Sequence, residues 1–313
     1  MAFHSTSARV RTAFAAGAAV LLSVGLASCA ATDDAGTAGA SADGVSYAVD
    51  ENTLVFGVVP DAIDTETNYQ PLMDYLEQET GKTVEYHEST DYAALIEAAI
   101  AGKVDVGSFS GFTYLTALNN GAAITPISSI VTVEGEAAGY YSQAIVPVDS
   151  DITTIEEFAG KTVCFVDPSS TSGYLFPSYN LLEAGIDPLE DITPVFAGKH
   201  DVSVQKVSEN RECEVGFAED SEVTKNPGVK VIAETMVPGA PIVMSDSLPA
   251  ELKTQLVDLL SEVTVEDIIA SGIESADTDS FRMVFLATEP VDDAYYDTIR
   301  DICVTTKASQ CES

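Results

Sequence analysis

The sequence predicts an α/β protein of two lobes, each a mainly parallel β-sheet flanked by helices, with two strands crossing between the lobes. Short apolar segments, typical of buried strands, alternate along the chain with segments whose apolar residues recur at helix spacing. The loops between them are short, as in βαβ units with right-handed crossovers. The alternation begins again after about residue 150, which indicates a second lobe rather than one longer sheet.

The first lobe opens with a buried-type strand, Leu54 to Val59, which Pro60 stops. A helical pattern then runs to Gly81, and a second strand covers 84–87. Asp91 caps the next helix, which ends near Gly102. A third strand over 104–109 runs into Ser110 and a helix to about residue 119. In such sheets ligands bind beyond the carboxyl ends of the strands.

The second lobe is entered by a long strand over 142–148, followed by a short apolar segment at 155–158. Strands are predicted at 162–167, 192–196 and 214–218, with helices after the first two. Residues 241–244 resemble the return crossing, and helical segments over 249–260, 265–270 and 294–304 are expected to pack on the first lobe. The predicted boundaries are 51–144 and 243–313 for lobe 1 and 145–242 for lobe 2.

A run of hydroxyl side chains follows the first strand of the second lobe. Ser169, Ser170, Thr171 and Ser172 precede Gly173 and a helical pattern. The first amides of a helix have no intrahelical acceptor and lie at the positive end of its dipole, so they can bind an anion. The alternative is that these residues only cap a helix.

The N-terminus has the pattern of an export signal. Two arginines precede an apolar run over 13–22 that is too short to span a bilayer. The segment ends in Leu26-Ala27-Ser28-Cys29, which resembles the lipobox of bacterial lipoproteins. We therefore expect a signal peptide over 1–28, lipidation of Cys29 and a flexible tether over 29–50, with the protein anchored on the extracytoplasmic face of the cell membrane. The alternative is an ordinary secretory signal.

The charge of the chain restricts its partners. Without the signal peptide, 12 Lys and Arg side chains remain against 50 Asp and Glu. So acidic a protein is not expected to bind nucleic acid or anionic lipid. If it binds an anion, local amides, hydroxyls and helix dipoles must supply the attraction.

Four cysteines remain after Cys29, an even number that suggests disulfides in an exported chain. Of the three possible pairings we favour Cys164–Cys213 with Cys303–Cys311, because each pair falls in one predicted lobe. We expect no metal site, since no Cys or His pair has ligand spacing, and no cofactor.

The chain resembles the phosphonate and phosphate-type substrate-binding proteins of ABC transporters, a type II periplasmic-binding-protein family. The resemblance rests on VFGVVPDA, TDYAALIEAAIAGKVDVGSFSGFTYLTA, GKTVCFVDPSSTSGYLFPSYNLLEAGIDP, GKHD and PIVMSDSLPAEL, of which DPSSTSG followed by GKHD is the specific part. It implies a lipid-anchored, monomeric receptor that passes a small phosphorus oxyanion to a permease with a separate ATPase. The chain itself has no GxxxxGK[ST] phosphate loop.

The resemblance also implies a set of ligand contacts. Ser170, Thr171 and Ser172 would hold the oxyanion from the second lobe, with His200 and the adjacent Asp201 on the following loop. Tyr92 and Ser110 would complete the set from the first lobe. Each could instead be structural: Tyr92 in the core, Ser110 as a cap, His200 as a cap or core residue, and Asp201 as an N-cap or as the group that orients His200.

Glu219 departs from the family pattern, because a carboxylate repels a bound dianion. It would pair with the amine of an aminophosphonate or accept the proton of a monoprotonated phosphate or phosphonate, or it is a surface acid. Two other functions remain open: the same fold with another solute, such as sulfate or a pyrimidine, and a serine hydrolase using Ser170 or Ser172 with His200 and Asp201. We do not expect an enzyme, because the chain has no GxSxG motif and adjacent His and Asp residues do not suit a triad.

Overall fold

The computed structural model describes residues 44–311. The predicted signal peptide, Cys29 and the tether up to residue 43 lie outside these residues. No helix within 44–311 is long and apolar enough to cross a membrane.

The described chain alternates strands and helices as the sequence predicts. The strands are β1 Thr53–Val58, β2 Thr83–His87, β3 Val106–Ser108, β4 Ile124–Val131, β5 Gly139–Pro147, β6 Thr162–Phe165, β7 Thr193–Phe196, β8 Val215–Glu219, β9 Val229–Pro238, β10 Pro241–Ser245 and β11 Ala287–Pro290. The helices are α1 Thr65–Thr80, α2 Tyr92–Ile100, α3 Gly111–Asn119, α4 Phe176–Glu183, α5 His200–Glu209, α6 Asp220–Thr224, α7 Ala250–Leu260, α8 Val265–Ala270, α9 Asp279–Val284 and α10 Asp297–Thr306.

The strands form one sheet in the order β2-β1-β3-β10-β4-β5-β8-β6-β7, with β11 beside β4 and β9 beside β5. Each lobe has a parallel centre, β2-β1-β3 in the first and β8-β6-β7 in the second. Antiparallel strands extend both centres. Only Val131 and Gly139 pair across the junction of β4 with β5, so the sheet is narrow where the lobes meet.

The parallel strands hold the core of each lobe. Every residue of β1 is buried, and Phe56 packs in a cluster with side chains of α1, α7 and α8. In the second lobe, Phe165 of β6 stacks on Phe217 of β8 with ring centroids 5.8 Å apart. Helices cover both faces of β1, β6 and β8, so the sequences of these strands are continuous apolar runs and do not alternate between apolar and polar residues.

Strand pairing places the lobe junctions at other residues than the sequence predicts. All of β5, from Gly139, pairs with β8 and β9 in the second lobe, whereas β10 pairs with β3 and β4 in the first. The chain therefore crosses at 132–138 and 239–240, and neither β5 nor β10 is a crossing strand. The apolar runs mark where these strands are, but only their hydrogen-bonded partners show to which lobe they belong.

Several elements have no counterpart in the sequence prediction. β4, β9, α9 and β11 are all missed, and the segment Ile155–Phe158 is a 3₁₀ helix. β9 alternates half-exposed and exposed residues with few large apolar side chains, so its sequence lacks a clear strand pattern.

The structure contains disulfides Cys164–Cys213 and Cys303–Cys311. The first joins β6 to the residues before β8 and lies in the core of the second lobe. The second closes the C-terminal segment onto α10. That helix contributes Ile299 and Ile302 to an apolar cluster that includes α3 of the first lobe and α4 of the second.

Candidate ligand-binding site

A cavity lies between the two lobes. It has a volume of about 50 Å³, which exceeds what a single water molecule needs. Asp61, Ser108 and Ser110 line it from the first lobe, and Tyr140 and Glu219 from the second. The three first-lobe residues and Glu219 lie at or just beyond the carboxyl ends of β1, β3 and β8, where ligands of parallel sheets bind.

The first-lobe wall is polar and internally bonded. Thr65 Oγ1 donates to Asp61 Oδ1 at 2.7 Å, and the hydroxyls of Tyr69 and Ser108 lie 3.1 Å apart. Ser110 caps α3 and accepts a hydrogen bond from the amide of Thr113. The sequence-predicted Ser110 therefore lines the cavity and caps a helix at the same time.

The second-lobe wall is built around Glu219 and His200. Ser221 Oγ donates to Glu219 Oε1 at 2.9 Å. The amide of Glu219 donates to His200 Nδ1 at 2.9 Å, so the proton of the neutral imidazole lies on Nε2. His200 Nε2 is 3.9 Å from Glu219 Oε2, beyond hydrogen-bond distance.

The hydroxyl-rich loop forms a buried turn of π-helix, Thr171–Leu175, ahead of α4. Ser170 Oγ accepts from the amide of Gly173, where an added Cβ would lie 2.4 Å from Val166. Thr171 Oγ1 accepts from the amide of Phe112, at the start of α3 in the opposite lobe, at 2.8 Å. Ser172 Oγ lies near the Tyr140 hydroxyl but makes no well-formed hydrogen bond within residues 44–311.

Of the predicted site residues, Ser110 and Glu219 line the cavity, whereas the others do not: Tyr92, Ser170, Thr171, Ser172, His200 and Asp201. Tyr92 is fully buried, and its hydroxyl lies near Ser170. Asp201 is not the N-cap that one sequence interpretation gave it: Lys199 has that position, and Asp201 lies in the first turn of α5. Asp201 Oδ1 is buried and has no hydrogen-bond partner within residues 44–311.

Burial dominates the electrostatics of the site. Desolvation raises the pKa of Asp61 to about 7, and the carboxylate of Glu219 adds to this rise. Desolvation also raises the pKa of Glu219 to about 8, with a further rise from Glu222 and Asp220. Desolvation lowers the pKa of His200, although nearby carboxylates oppose it. None of the described residues that line the cavity is Lys or Arg.

Several bonds connect the lobes at the residues next to Asp61. Lys199 Nζ donates to the carbonyl oxygens of Ala62 at 2.9 Å and Pro60 at 3.2 Å. The amide of His200 donates to the Asp61 carbonyl at 2.7 Å, and Lys225 lies 3.7 Å from Asp64. These contacts hold the lobes in a closed arrangement. Lys199 is one of the bridging residues.

Sequence reasoning missed Asp61, Tyr69 and Tyr140 as cavity residues. Asp61 lies three residues beyond the end of β1 and Ser110 lies two residues beyond the end of β3, and this placement beyond a strand end could have identified Asp61. Tyr140 precedes the apolar part of β5, so its position depends on strand register and not on a motif.

Comparisons with known proteins agree on one family. A family model described as the periplasmic substrate-binding protein of phosphonate ABC transporters matches residues 56–296. The phosphate-import protein PhnD of Mycolicibacterium smegmatis is 34% identical over 286 residues, which cover 83% of this chain and 88% of the relative.

Two solved structures show the same fold. A binding protein component of an ABC phosphonate transporter from Pseudomonas aeruginosa has a TM-score of 0.70 and 23% identity, covering 82% of this chain and 87% of the other. PhnD1 of Prochlorococcus marinus, in complex with methylphosphonate, has a TM-score of 0.69 and 15% identity, covering 83% of this chain and 100% of the other. The expected two-lobed type II periplasmic-binding-protein fold is thus confirmed.

Proposed function

The chain belongs to the family of periplasmic phosphonate-binding proteins of ABC transporters, and we propose that it captures a phosphate, phosphite or phosphonate in the cavity between its lobes. The hydroxyl of Ser172, which lies near Tyr140 of the cavity wall and makes no well-formed hydrogen bond within residues 44–311, is the observation that supports the site most directly. An acidic protein without a cationic side chain in the cavity has to hold an oxyanion with such neutral donors.

We assign ligand contacts to both lobes. Ser172, Thr171 and Ser170 approach from the second lobe, together with Nε2 of His200 as a donor. Tyr92 and Ser110 contribute from the first lobe, and Glu219 meets an acidic proton or an amine of the ligand. Asp201 acts through His200, because the structure places it in the first turn of α5 and not in the cavity wall.

Ligand capture couples to closure of lobe 1 (51–131 and 241–311) on lobe 2 (139–238) about the crossings at 132–138 and 239–240. The closed protein passes its ligand to a permease whose ATPase is a separate subunit. A monomer lipidated at Cys29 would remain on the extracytoplasmic face of the membrane while it does so.

No step of catalysis is proposed. Relatives in this family are transporter binding proteins. Within residues 44–311 no hydrogen bond connects the His200 side chain to Ser170 or Ser172, so the arrangement does not favour a serine hydrolase.

Titration calorimetry tests the function directly. We expect inorganic phosphate, phosphite or methylphosphonate to bind the purified protein, and 2-aminoethylphosphonate tests whether an amine improves binding. If no phosphorus compound binds while sulfate or an uncharged heterocycle does, the assignment is wrong.

Replacing Ser172 by alanine is expected to weaken binding of the preferred phosphorus ligand by about 1–3 kcal/mol, the usual value for a hydrogen bond to a charged group. The melting temperature should hardly change, because this hydroxyl has no well-formed bond to lose. Ser178→Ala, on the neighbouring helix and also buried, is the matched control and should leave binding unchanged. Equal losses for the two variants would contradict the assignment.

Thr171→Ala is expected to weaken binding by a similar amount, about 1–3 kcal/mol. Unlike Ser172→Ala, it should also lower the melting temperature, because it removes the acceptor of the Phe112 amide in the other lobe. Calorimetry and thermal unfolding of the two variants separate these effects. A Thr171→Ala protein with normal affinity would remove this residue from the site.

A further inference from the structure

Two carboxyl groups face the cavity from opposite lobes, Asp61 from the first and Glu219 from the second. Each is held at one oxygen by a neighbouring hydroxyl: Thr65 donates to Asp61 Oδ1 and Ser221 donates to Glu219 Oε1. The second oxygen of each carboxyl, Asp61 Oδ2 and Glu219 Oε2, makes no hydrogen bond within residues 44–311, so a ligand can reach it.

Within residues 44–311, no Lys or Arg side chain forms an ion pair with either carboxyl. Lys199 Nζ donates to the carbonyl oxygens of Pro60 and Ala62, on either side of Asp61. Lys225 opposes the rise in the pKa of Glu219, but it is paired with Glu222 at 2.6 Å and lies 3.7 Å from Asp64. The ionisable groups around the pair are Tyr69 of α1, Tyr86 of β2, Tyr92 of α2, Tyr140 of β5, Lys199 and His200 at the start of α5, Asp220 and Glu222 of α6, and Lys225 after it. An oxyanion between two ionised carboxylates would be repelled from both sides unless protons lie between them.

We propose that Asp61 is a specificity-determining residue, and that Asp61 and Glu219 together select oxyanions that carry an acidic P–OH group. This inference rests on the proposed function of the cavity. A P–O–H donates its proton in a hydrogen bond to the free oxygen of one carboxylate, and no other bond is made or broken. Sulfate has no such proton at neutral pH, so the carboxyls must first take protons from solvent.

The raised pKa values of both carboxyls fit this arrangement. Their protonated forms are favoured in the closed protein below about pH 7 to 8 and are lost as the pH rises through that range. Sulfate binding must therefore weaken more steeply with rising pH than phosphate binding. If the two ligands differ by one proton taken up, the ratio of their affinities changes by up to about tenfold per pH unit.

Calorimetry of the wild-type protein and of Asp61→Asn with inorganic phosphate and sulfate, at pH 6 and pH 8.5, tests the proposal. We expect the phosphate-to-sulfate affinity ratio of the wild type to rise at least tenfold between these pH values. In Asp61→Asn the ratio at pH 8.5 should fall at least tenfold, because an amide can donate a hydrogen bond to sulfate without a proton from solvent. Asp74→Asn, on α1 and outside the cavity wall, is the control and should keep the wild-type ratio, because among the described residues this carboxyl bonds only to Gln70 of its own helix.

The outcomes separate this inference from the proposed function. If the wild type binds no phosphorus oxyanion, the proposed function fails first. If it binds phosphate but its selectivity over sulfate neither changes with pH nor falls in Asp61→Asn, only the role of Asp61 is overturned. If Asp61→Asn does not fold, proton uptake by the wild-type protein tests the role of the two carboxyls. Calorimetry in buffers of different ionisation heat must then show that more protons are taken up when sulfate binds than when phosphate binds.

Discussion

Replacing Cys164 and Cys213 together by alanine should lower the free energy of unfolding by about 4 kcal/mol, from the loss of loop-closure entropy for a link of this length. The bond spans 49 residues and lies in the core of the second lobe. A loss of about 4 kcal/mol is a large fraction of the 5–15 kcal/mol by which domains are usually stable. Chemical denaturation with ligand absent measures it.

The effect should reach the ligand site, because Cys164 is on the strand that leads into the hydroxyl-rich loop. Replacing Cys303 and Cys311 is the internal comparison. That bond spans 8 residues, for which the same relation gives about 2.5 kcal/mol. Equal losses for both pairs, or no loss for the first, would contradict the assigned role of the first bond.

Replacing Lys199 by methionine should weaken ligand binding about tenfold, which corresponds to about 1.4 kcal/mol. Its ammonium donates across the cleft to the carbonyls of Ala62 and Pro60 and lies outside the cavity wall. The substitution therefore destabilises the closed arrangement, and the apparent affinity falls with the population of that arrangement. Methionine retains much of the apolar stem, so that mainly the charged donor is lost.

Stopped-flow measurement of dissociation tests this explanation, because a weakened closed state should release phosphate and methylphosphonate faster and to a similar degree. Lys206→Met is the matched control. This lysine is on the same helix but pairs with Glu212 of its own lobe, so its loss should leave the dissociation rate unchanged. An unchanged rate in Lys199→Met would show that these cross-lobe bonds do not hold the closed state.

Much of the fold could be predicted from the sequence because local patterns decide it. The inner parallel strands β1, β3, β6 and β8 are short buried runs between helix patterns, and such runs are informative when both faces of a strand are covered. The prediction failed for β9, which is mostly partly exposed, and for the lobe junctions. Which strand pairs with which depends on contacts between distant residues, and no local pattern reports these.

In the candidate site too, residues in a local motif could be predicted, whereas residues placed by distant contacts could not. The hydroxyl run Ser170 to Ser172 is visible in the sequence, and in the structure it is buried and contacts Phe112 of the first lobe through Thr171. The roles of its three hydroxyls could not be predicted, because the partners are Gly173 nearby and Phe112 in the other lobe. Asp61 was missed because the chain contains 50 acids and no motif marks this one, so that its placement just beyond the end of β1 was the only local signal.

A crystal structure of the protein with bound methylphosphonate shows directly whether the cavity between the lobes holds a phosphorus oxyanion with neutral donors. We expect a phosphonate group between the lobes, with one oxygen about 3 Å from Ser172 Oγ. Its remaining oxygens should lie within reach of Asp61 and Glu219, and no lysine or arginine side chain should contact it. Methylphosphonate bound to cationic side chains outside this cavity, with the cavity itself holding only water, would contradict the assignment of the ligand site.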